Sequence, residues 1–393
     1  MTRPIRLLWL SESPLLATGF ARVGRELLSR LARVDGLSVA AIGWGYDGWP
    51  YASSHYPYVI YPSSSDSHGE DILERVVAEF QPDIVITLAE LWMIRWMQNH
   101  PARACFKWIA YCPLDAGPLY PPSYPLVRSM DEIVAMSHFG RKTIEDGVPS
   151  KRVHMIYHGV DPHVYRPLPN RELLKSHDRL QNRFVIGCVA RNQPRKNVPA
   201  LVKAFAQLAK RLPDVHLYLH MDPCDVGFDM VTLLQRYALQ SRADISSPQI
   251  TAASGLTDEK LNRLYNIFDV TVLPSTGEGF GLPILESMAV GVPVVATDCS
   301  ACTELVTGRG ELARPAAFVT TGTNLLEHAI VDETHLAECI EKLYRDPALR
   351  RTYSERGRRF AEFLAWDSLI PQWLQLIGHS NGGSGLRSEG EAR

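Results

Sequence analysis

The chain has 393 residues, of which 46% are hydrophobic and 21% charged, and its formal net charge at pH 7 is -2. This composition indicates a soluble globular protein rather than a disordered one, with enough residues for two domains. The charge balance argues against a surface that binds nucleic acid generally, although it is compatible with local basic patches. Because no run of 18 apolar residues occurs and the N-terminal segment Met1–Leu10 is too short for a secretory signal, we expect a cytoplasmic protein.

Short apolar strands alternate with amphipathic helices in the first half of the chain, which is typical of a parallel-sheet α/β domain. The predicted strands are Ile5–Leu10, Val39–Gly43, Asp83–Leu88, Trp108–Cys112 and Glu132–Met136, and the predicted helices are Phe20–Val34 and Asp71–Phe80. Near Gly159 the alternation ends, and the proline-punctuated segment Asp161–Pro167 leads into the polar stretch Asn170–Asn182. We therefore predict a first domain over residues 1–165 and a linker over residues 166–183.

A second alternating series follows and predicts a second domain over residues 184–365. Its predicted strands are Phe184–Ala190, Val215–His220, Asp269–Leu273 and Val292–Ala296, and its predicted helices are Val198–Arg211, Glu333–Tyr344 and Pro347–Phe363. We expect a last helix over residues 366–378 to pack back on the first domain, and residues 380–393, which lack apolar anchors, to be disordered. Two Rossmann-like α/β domains that face each other would form a ligand cleft at the carboxyl ends of their strands.

The segment Glu278–Glu286 places two carboxylates around a Gly-Phe-Gly-Leu-Pro turn, between a predicted buried strand and a predicted helix that Pro283 would begin. The glycines let the backbone approach a ligand closely, and the free N–H groups at a helix start favour an anion. Carboxylates beside an anion would repel it unless they bind neutral hydroxyls. The pattern therefore predicts a sugar nucleotide, with its phosphates on backbone N–H groups and its hydroxyls on the two glutamates.

A basic loop follows the strand that begins the second domain. Arg191 and Lys196 lie in this loop, and Arg195 is an alternative to either of them. A guanidinium fork and a mobile ammonium group can together neutralise the charge that grows on a departing phosphate. A solvated basic loop would be the better interpretation of this segment alone, but beside the glutamate turn we favour a diphosphate site.

These two segments together resemble the retaining glycosyltransferases of the GT-B fold, the family-4 type, and the resemblance spans nearly the whole chain. It is carried by Ser137–Gly140, Ile156–Asp161, Arg166–Pro167, Val185–Lys196, Leu201–Phe205 and Gly255–Glu286. The resemblance implies transfer of a hexose from a UDP- or GDP-sugar to a hydroxyl acceptor, with retention of anomeric configuration. It also implies independence of a bound metal, and we expect no cofactor besides the substrate nucleotide sugar.

The resemblance also implies roles for residues of the second domain. Arg191 and Lys196 would hold the donor diphosphate, Glu286 would bind the ribose hydroxyls, and Glu278 would bind the hydroxyls of the transferred sugar. Backbone N–H groups would lie against the sugar and phosphates around Phe280, Gly281 and Leu282, and the base would contact the backbone near Ile250–Gly255.

In the first domain, the resemblance implies contacts at the ends of two strands. The loop that contains Gly19 would touch the diphosphate or the acceptor, the alternative being a plain helix start with Thr18 as N-cap. At the end of strand Trp108–Cys112, where the family often has a histidine that faces the donor sugar, this chain has Asp115. We predict a positioning or electrostatic catalytic role for Asp115, and a place for Glu90 on the acceptor side.

Other functions stay open beside this one: a nucleotide-sugar epimerase or a phosphorylase on the same scaffold, or a non-catalytic module that binds a nucleotide sugar or a nucleic acid. Arg22, Arg25, Arg30 and Arg33 fall on one face of a predicted helix, for which we favour a solvated face over weak association with a membrane surface. Segment Gly43–Gly48 has GxGxxG spacing, but no helix follows it, so we predict no dinucleotide site there.

The cysteines and histidines give no pattern of a metal site. The seven cysteines are irregularly spaced, which indicates reduced thiols, and Cys299 and Cys302 form a CxxC pair without a second pair nearby. We predict two small buried side chains there rather than a metal or redox site. The thirteen histidines do not suggest a metal-ligand cluster to us, and we expect no bound metal.

Overall fold

The computed structural model describes residues 3–246 and 255–378. The first domain contains a seven-stranded parallel sheet in the order β3-β2-β1-β4-β5-β6-β7. Its strands are β1 (Ile5–Glu12), β2 (Leu37–Trp44), β3 (Val59–Ser63), β4 (Ile84–Leu88), β5 (Lys107–Cys112), β6 (Glu132–Ala135) and β7 (Val153–Met155). Its helices are α1 (Gly19–Leu31), α2 (Glu70–Phe80), α3 (Tyr124–Ser129) and α4 (His138–Gly147), with short 3-10 turns at Arg95–Asn99, Pro101–Cys105 and Pro121–Ser123.

The second domain contains a six-stranded parallel sheet in the order β10-β9-β8-β11-β12-β13. Its strands are β8 (Phe184–Val189), β9 (Val215–His220), β10 (Ala243–Ile245), β11 (Val270–Leu273), β12 (Val294–Thr297) and β13 (Gly310–Ala313). Its helices are α5 (Arg171–His177), α6 (Val198–Ala209), α7 (Met230–Arg236), α8 (Asp258–Asn266), α9 (Leu282–Val290), α10 (Ser300–Val306), α11 (Glu333–Arg345) and α12 (Pro347–Phe363), with a 3-10 turn at Pro194–Lys196. The prediction of two Rossmann-like α/β domains is confirmed.

Strand order reverses between β1 and β4 in the first sheet and between β8 and β11 in the second. Such a reversal leaves a crevice at the carboxyl ends of the two strands, because the helices that follow them pack on opposite faces of the sheet. The basic loop after β8 and the glutamate turn after β11 therefore share one crevice. The loops after β1 and β4 share the corresponding crevice of the first domain.

A two-stranded antiparallel hairpin, β14 (Pro315–Thr321) and β15 (Leu326–Val331), follows the carboxyl end of β13. Its backbone reaches both domains, because Glu327 N donates to Gly117 O at 2.7 Å and Ala329 N donates to Thr276 O at 2.9 Å. The sequence prediction lacks this hairpin. In β14, apolar residues such as Phe318 point into solvent, so this strand shows no alternation between buried and exposed positions. In β15 burial does alternate, but the sequence of Leu326–Val331 does not alternate between apolar and polar residues.

The last helix, α13 (Trp366–Leu376), packs against α1 of the first domain. Trp373 on α13 is fully buried, with its ring 5.0 Å from that of Tyr111 at the end of β5. This contact makes the core of the first domain continuous with that of the second.

The predicted linker is not a free tether. Its backbone is bound to two asparagines of α8, because Arg166 N donates to Asn262 Oδ1 at 3.0 Å and Leu168 N donates to Asn266 Oδ1 at 2.7 Å. The buried ion pair of Lys175 with Asp269, at 2.6 Å, fixes α5 to the second domain. The predicted disordered tail and most of the segment predicted to contact the base lie outside the described residues. Within the described residues, no helix combines the length and the apolar character needed to cross a membrane.

Candidate active site in the interdomain cleft

The carboxyl edges of the two sheets lie directly against each other. A methyl group added to Gly19, after β1, would lie 3.7 Å from Leu282 Cδ1, at the start of α9. One added to Gly277 would lie only 2.1 Å from the carbonyl oxygen of Asp115, in the loop after β5. The structure thus brings together the cleft residues that the sequence assigned to separate domains.

Glu278 is buried at the centre of this cleft and is surrounded by hydrogen-bond donors. Its Oε1 lies 2.5 Å from Lys196 Nζ and 2.5 Å from Ser275 Oγ, and its Oε2 lies 3.1 Å from Arg195 Nη1. Burial disfavours the charged carboxylate, but the attraction of Lys196 and Arg195 and these hydrogen bonds outweigh burial and lower the pKa of Glu278 to about 2. Glu278 is therefore an ionised acceptor of hydrogen bonds at neutral pH.

Arg195 connects the two domains. Its Nε lies 3.1 Å from Asp115 Oδ2 in the first domain, and its Nη1 donates to Gly277 O at 2.5 Å in the second. Burial opposes its charge, but the attraction of Glu278 and Asp115 raises the pKa of Arg195, so the guanidinium stays charged. Arg195, named from the sequence only as an alternative, is thus the arginine that contacts both predicted catalytic carboxylates.

Arg191 lies apart from this cluster. Its guanidinium binds Asp225, in the loop after β9, through two hydrogen bonds of 2.6 and 3.1 Å, and its side chain is 58% exposed. An ion pair this exposed contributes only ~0–1 kcal/mol. A diphosphate in the crevice could therefore draw Arg191 away from Asp225 at little energetic cost.

Glu286 is buried because α9 is covered on all sides, against β11, β12, α8, α10 and α12. Its Oε1 accepts a hydrogen bond from Arg22 of the first domain, and its Oε2 accepts one of 2.8 Å from Tyr265. Arg22 also forms an ion pair of 3.2 Å with Asp258. Each carboxylate oxygen of Glu286 thus has one donor and keeps a second acceptor site, so a ribose hydroxyl can bind beside these partners or replace one of them.

The arginine face of α1 is an interdomain contact rather than a solvated or membrane-facing surface, which corrects the sequence interpretation for three of its four residues. These three arginines meet acids of the segment that leads into the linker, of the second domain and of α13, because α13 and α8 pack beside α1. The ion pairs join Arg22 and Arg25 to Asp258, and Arg30 to Asp161 and Asp367. Arg33 is exposed.

The predicted backbone site lies where α9 begins. Gly281 adopts a left-handed backbone conformation, with φ 103°, which turns the chain into the helix. The Phe280 ring is buried against Tyr157 and His158, at centroid distances of 5.9 and 5.0 Å, so the turn presents its backbone to the cleft. On the other side of the cleft, α1 begins at Gly19 with Thr18 as its N-cap, which agrees with the alternative of a plain helix start. Gly19 also faces the cleft.

The sequence interpretation missed several of these partners. Ser275 directly follows the strand end at Pro274, a position that predicts a cleft residue. Arg22, Tyr265 and Asp225 offered no comparable signal, because their contacts depend on how the domains and loops pack.

All seven cysteines are free thiols. Across residues 3–246 and 255–378, no group of three or more His, Cys, Asp or Glu side chains could hold a metal ion.

Comparison with known proteins agrees with this architecture. Residues 170–360 match the family described as glycosyl transferases group 1. The chain is 30% identical over 255 residues to an MMP alpha-(1->4)-mannosyltransferase from Mycolicibacterium hassiacum, an alignment that covers 64% of this chain and 54% of that protein. It is 28% identical over 265 residues to an alpha-maltose-1-phosphate synthase from Mycolicibacterium smegmatis, covering 64% of this chain and 63% of that protein. The chain thus spans less than two thirds of the length of these relatives.

Solved structures share the fold over nearly the whole chain. HepE from Anabaena, in complex with UDP and glucose, superposes with a TM-score of 0.74 at 19% identity, covering 95% of this chain and 99% of that one. The sucrose-phosphate synthase from Thermosynechococcus elongatus gives a TM-score of 0.76 at 20% identity, covering 96% of this chain and 98% of that one. Residues 170–360 are therefore similar to the glycosyl transferases group 1 family, and the two facing domains of the chain have the GT-B fold.

Proposed function

We propose that this protein is a retaining glycosyltransferase that transfers a hexose from a UDP- or GDP-sugar to a hydroxyl acceptor. The observation that carries the proposal is the buried cluster of Lys196, Arg195 and Glu278 at the β8/β11 crevice, facing Asp115 across the cleft. It combines cations for a diphosphate with an ionised carboxylate for sugar hydroxyls. The names of the similar proteins and the UDP in the HepE structure support the same assignment for this protein.

The donor would lie along the edge of the second sheet. Lys196 and Arg191 would bind the diphosphate, together with the backbone N–H groups at the start of α9. The transferred hexose would place its hydroxyls against Glu278, and the ribose would reach Glu286 by replacing Arg22. Closing the cleft against the first domain excludes water, which strengthens each of these charged contacts.

The chemical step would occur on one face of the sugar. The bond between the anomeric carbon and the diphosphate oxygen breaks, and the acceptor oxygen bonds to the same face of that carbon. The acceptor proton passes to the departing phosphate oxygen. Lys196, Arg191 and the helix start stabilise the leaving charge, while the carboxylate of Asp115 stabilises positive charge on the anomeric carbon.

A panel of sugar nucleotides tests the proposal. Thermal shift identifies donors that bind, and nucleotide release with each donor, with and without added alcohols, measures turnover. Product anomers are then assigned by NMR. We expect acceptor-dependent release and retained configuration. Conversion of the donor alone would indicate an epimerase, and stabilisation without turnover would indicate a binding module; either result contradicts the proposal.

A further inference from the structure

Three aromatic side chains form a row on the first domain that runs from a buried ring to an exposed one, and we call this row the aromatic shelf: Trp44, His68 and Trp92. Trp44 ends β2, His68 follows β3, and Trp92 follows β4, so all three lie at the carboxyl edge of the sheet. The His68 ring meets Trp44 and Trp92 edge to face, with both pairs of ring centroids 5.4 Å apart. Trp92 is 58% exposed at the outer end of this row.

The shelf is held in place by its surroundings. Trp92 Nε1 donates to Glu90 Oε2 at 2.6 Å, which fixes the plane of the indole. His68 has a φ of 50°, a left-handed conformation that a residue other than glycine rarely adopts without a compensating contact. Burial also lowers the pKa of His68, so the imidazole is a neutral ring at pH 7. An exposed indole fixed on such a base is a preorganised flat surface.

The shelf is connected to the cleft through Glu90. Glu90 lies close enough to Asp115 and Arg195 for their charges to interact, and Arg195 contacts Glu278 at 3.1 Å. The hairpin contacts the loop that carries Asp115 through the bond from Glu327 N to Gly117 O. An acceptor that approaches Asp115 would therefore pass over Glu90 and Trp92 rather than past the hairpin.

We propose that the aromatic shelf binds the acceptor and that this acceptor is a saccharide. The inference rests on the proposed function and adds the acceptor class to it. The apolar C–H face of a pyranose ring packs against the negative face of an indole, and its hydroxyls donate to a carboxylate such as Glu90. An alkyl chain would leave Glu90 without hydroxyl donors.

The test compares Trp92→Ala and Trp92→Phe with the matched control Trp49→Ala. Trp49 is also an exposed tryptophan of the first domain, but it packs edge to face on Tyr46 and makes no described contact with Glu90 or Asp115. The acceptor probes are methyl α-glucoside, methyl α-mannoside and maltose, with cyclohexanol as a non-sugar alcohol of similar size. The readouts are the acceptor KM and the Kd for UDP or GDP.

We expect turnover with at least one saccharide and none with cyclohexanol. Trp92→Ala should raise the saccharide KM at least about fivefold, the loss expected for removing one stacking surface, while the nucleotide Kd stays within about twofold. Trp92→Phe should give a smaller rise because a flat ring remains, and Trp49→Ala should match the parent. A saccharide KM that Trp92→Ala leaves unchanged would overturn the inference, as would equal turnover with cyclohexanol.

A binding measurement separates this inference from the proposed function. The indole N–H signal of Trp92 in ¹H–¹⁵N spectra, assigned by its absence in Trp92→Phe, should shift when maltose is added to the nucleotide-bound protein. A shift without turnover would reject the transferase and keep the saccharide site. Turnover with a non-saccharide acceptor, without a shift, would keep the transferase and reject the shelf as its acceptor site.

Discussion

The ion pair of Lys196 and Glu278 is buried, so each charge depends on the other for compensation. A donor that enters the site brings new partners for both: phosphate oxygens for the ammonium group and sugar hydroxyls for the carboxylate. We therefore propose that the pair is a preformed site whose partners exchange when the donor binds, rather than an ion pair that only stabilises the fold. At the scale of single residues, this makes removal of either charge costly to transfer.

Lys196→Ala and Glu286→Ala should each lower kcat/KM for transfer at least about tenfold, because each removes a charged contact to the donor. Steady-state nucleotide release measures the effect. The control is Lys203→Ala, which removes a half-exposed lysine of α6 paired with Glu333. Kinetics within twofold of the parent for both site variants would count heavily against this site.

The two arginines of the loop after β8 should respond differently to removal. Arg191→Ala should leave the melting temperature unchanged, because the ion pair of Arg191 with Asp225 is exposed. It should nevertheless lower kcat/KM, because the diphosphate would lose a charged contact. Arg195→Ala should lower the melting temperature as well, because the buried Glu278 and the half-buried Asp115 would lose a counter-charge. Thermal melts alongside kinetics test this; the reverse order of melting temperatures would contradict the assignment.

At the scale of elements, the glutamate turn after β11 is held from three sides. Glu278 N donates to Ser300 Oγ of α10 at 2.8 Å, Thr276 N donates to Arg195 O at 2.8 Å, and the hairpin bonds to Thr276 O. The turn and the loop after β5 touch through backbone atoms at Gly277. The carboxylate positions thus depend on a close approach of two loops from different domains.

Gly277→Ala tests this close approach. The added carbon would lie 2.1 Å from Asp115 O, so one loop must shift, and the carboxylates with it. We expect kcat/KM to fall about tenfold or more, since small misplacements in a catalytic site cost this much. Gly117→Ala is the control, because its added carbon would meet only ordinary contacts at 3.5 Å or more. Equal activities for the two variants would refute the role of the contact.

The sequence was informative wherever a local pattern determines the structure. Strand β9 and helix α12 have their predicted bounds, because apolar periodicity and a proline at the helix start define them. The short edge strands β7 and β10 are too brief to show a period. The partnership of Arg22 with Glu286 joins residues 264 positions apart, so only the packing of α1 against α9 reveals it.

At the scale of the whole molecule, the joint between the domains is an aromatic cluster around His158. Its ring lies 5.0 Å from Phe280 of the glutamate turn and 6.3 Å from Trp366 of α13, and Tyr111 Oη lies 2.8 Å from its Nδ1. Full burial lowers the pKa of His158 to about 3. The joint therefore contains an imidazole that stays neutral in the folded protein well below pH 6.5.

This histidine predicts a pH dependence of stability. The unfolded chain binds a proton at His158 below about pH 6.5, whereas the folded protein does not until about pH 3, so its contribution to stability is present above pH 6.5 and lost as pH falls towards 3. As the pH falls below 6, the free energy of unfolding should decrease less steeply in His158→Phe than in the parent. The difference in slope should be up to about 1.4 kcal/mol per pH unit. Chemical denaturation between pH 7 and 5 measures this, with the exposed His55→Phe as control; parallel pH profiles for parent and His158→Phe would contradict it.

We propose that the crevice between β8 and β11 holds the donor diphosphate while Glu278 and Glu286 bind the two sugars. A crystal structure with UDP or GDP tests it most directly. We predict the diphosphate on Lys196, Arg191 and the start of α9, with the ribose on Glu286 and Arg22 displaced. A nucleotide bound elsewhere, with this crevice empty and the Arg22–Glu286 pair intact, would contradict the account.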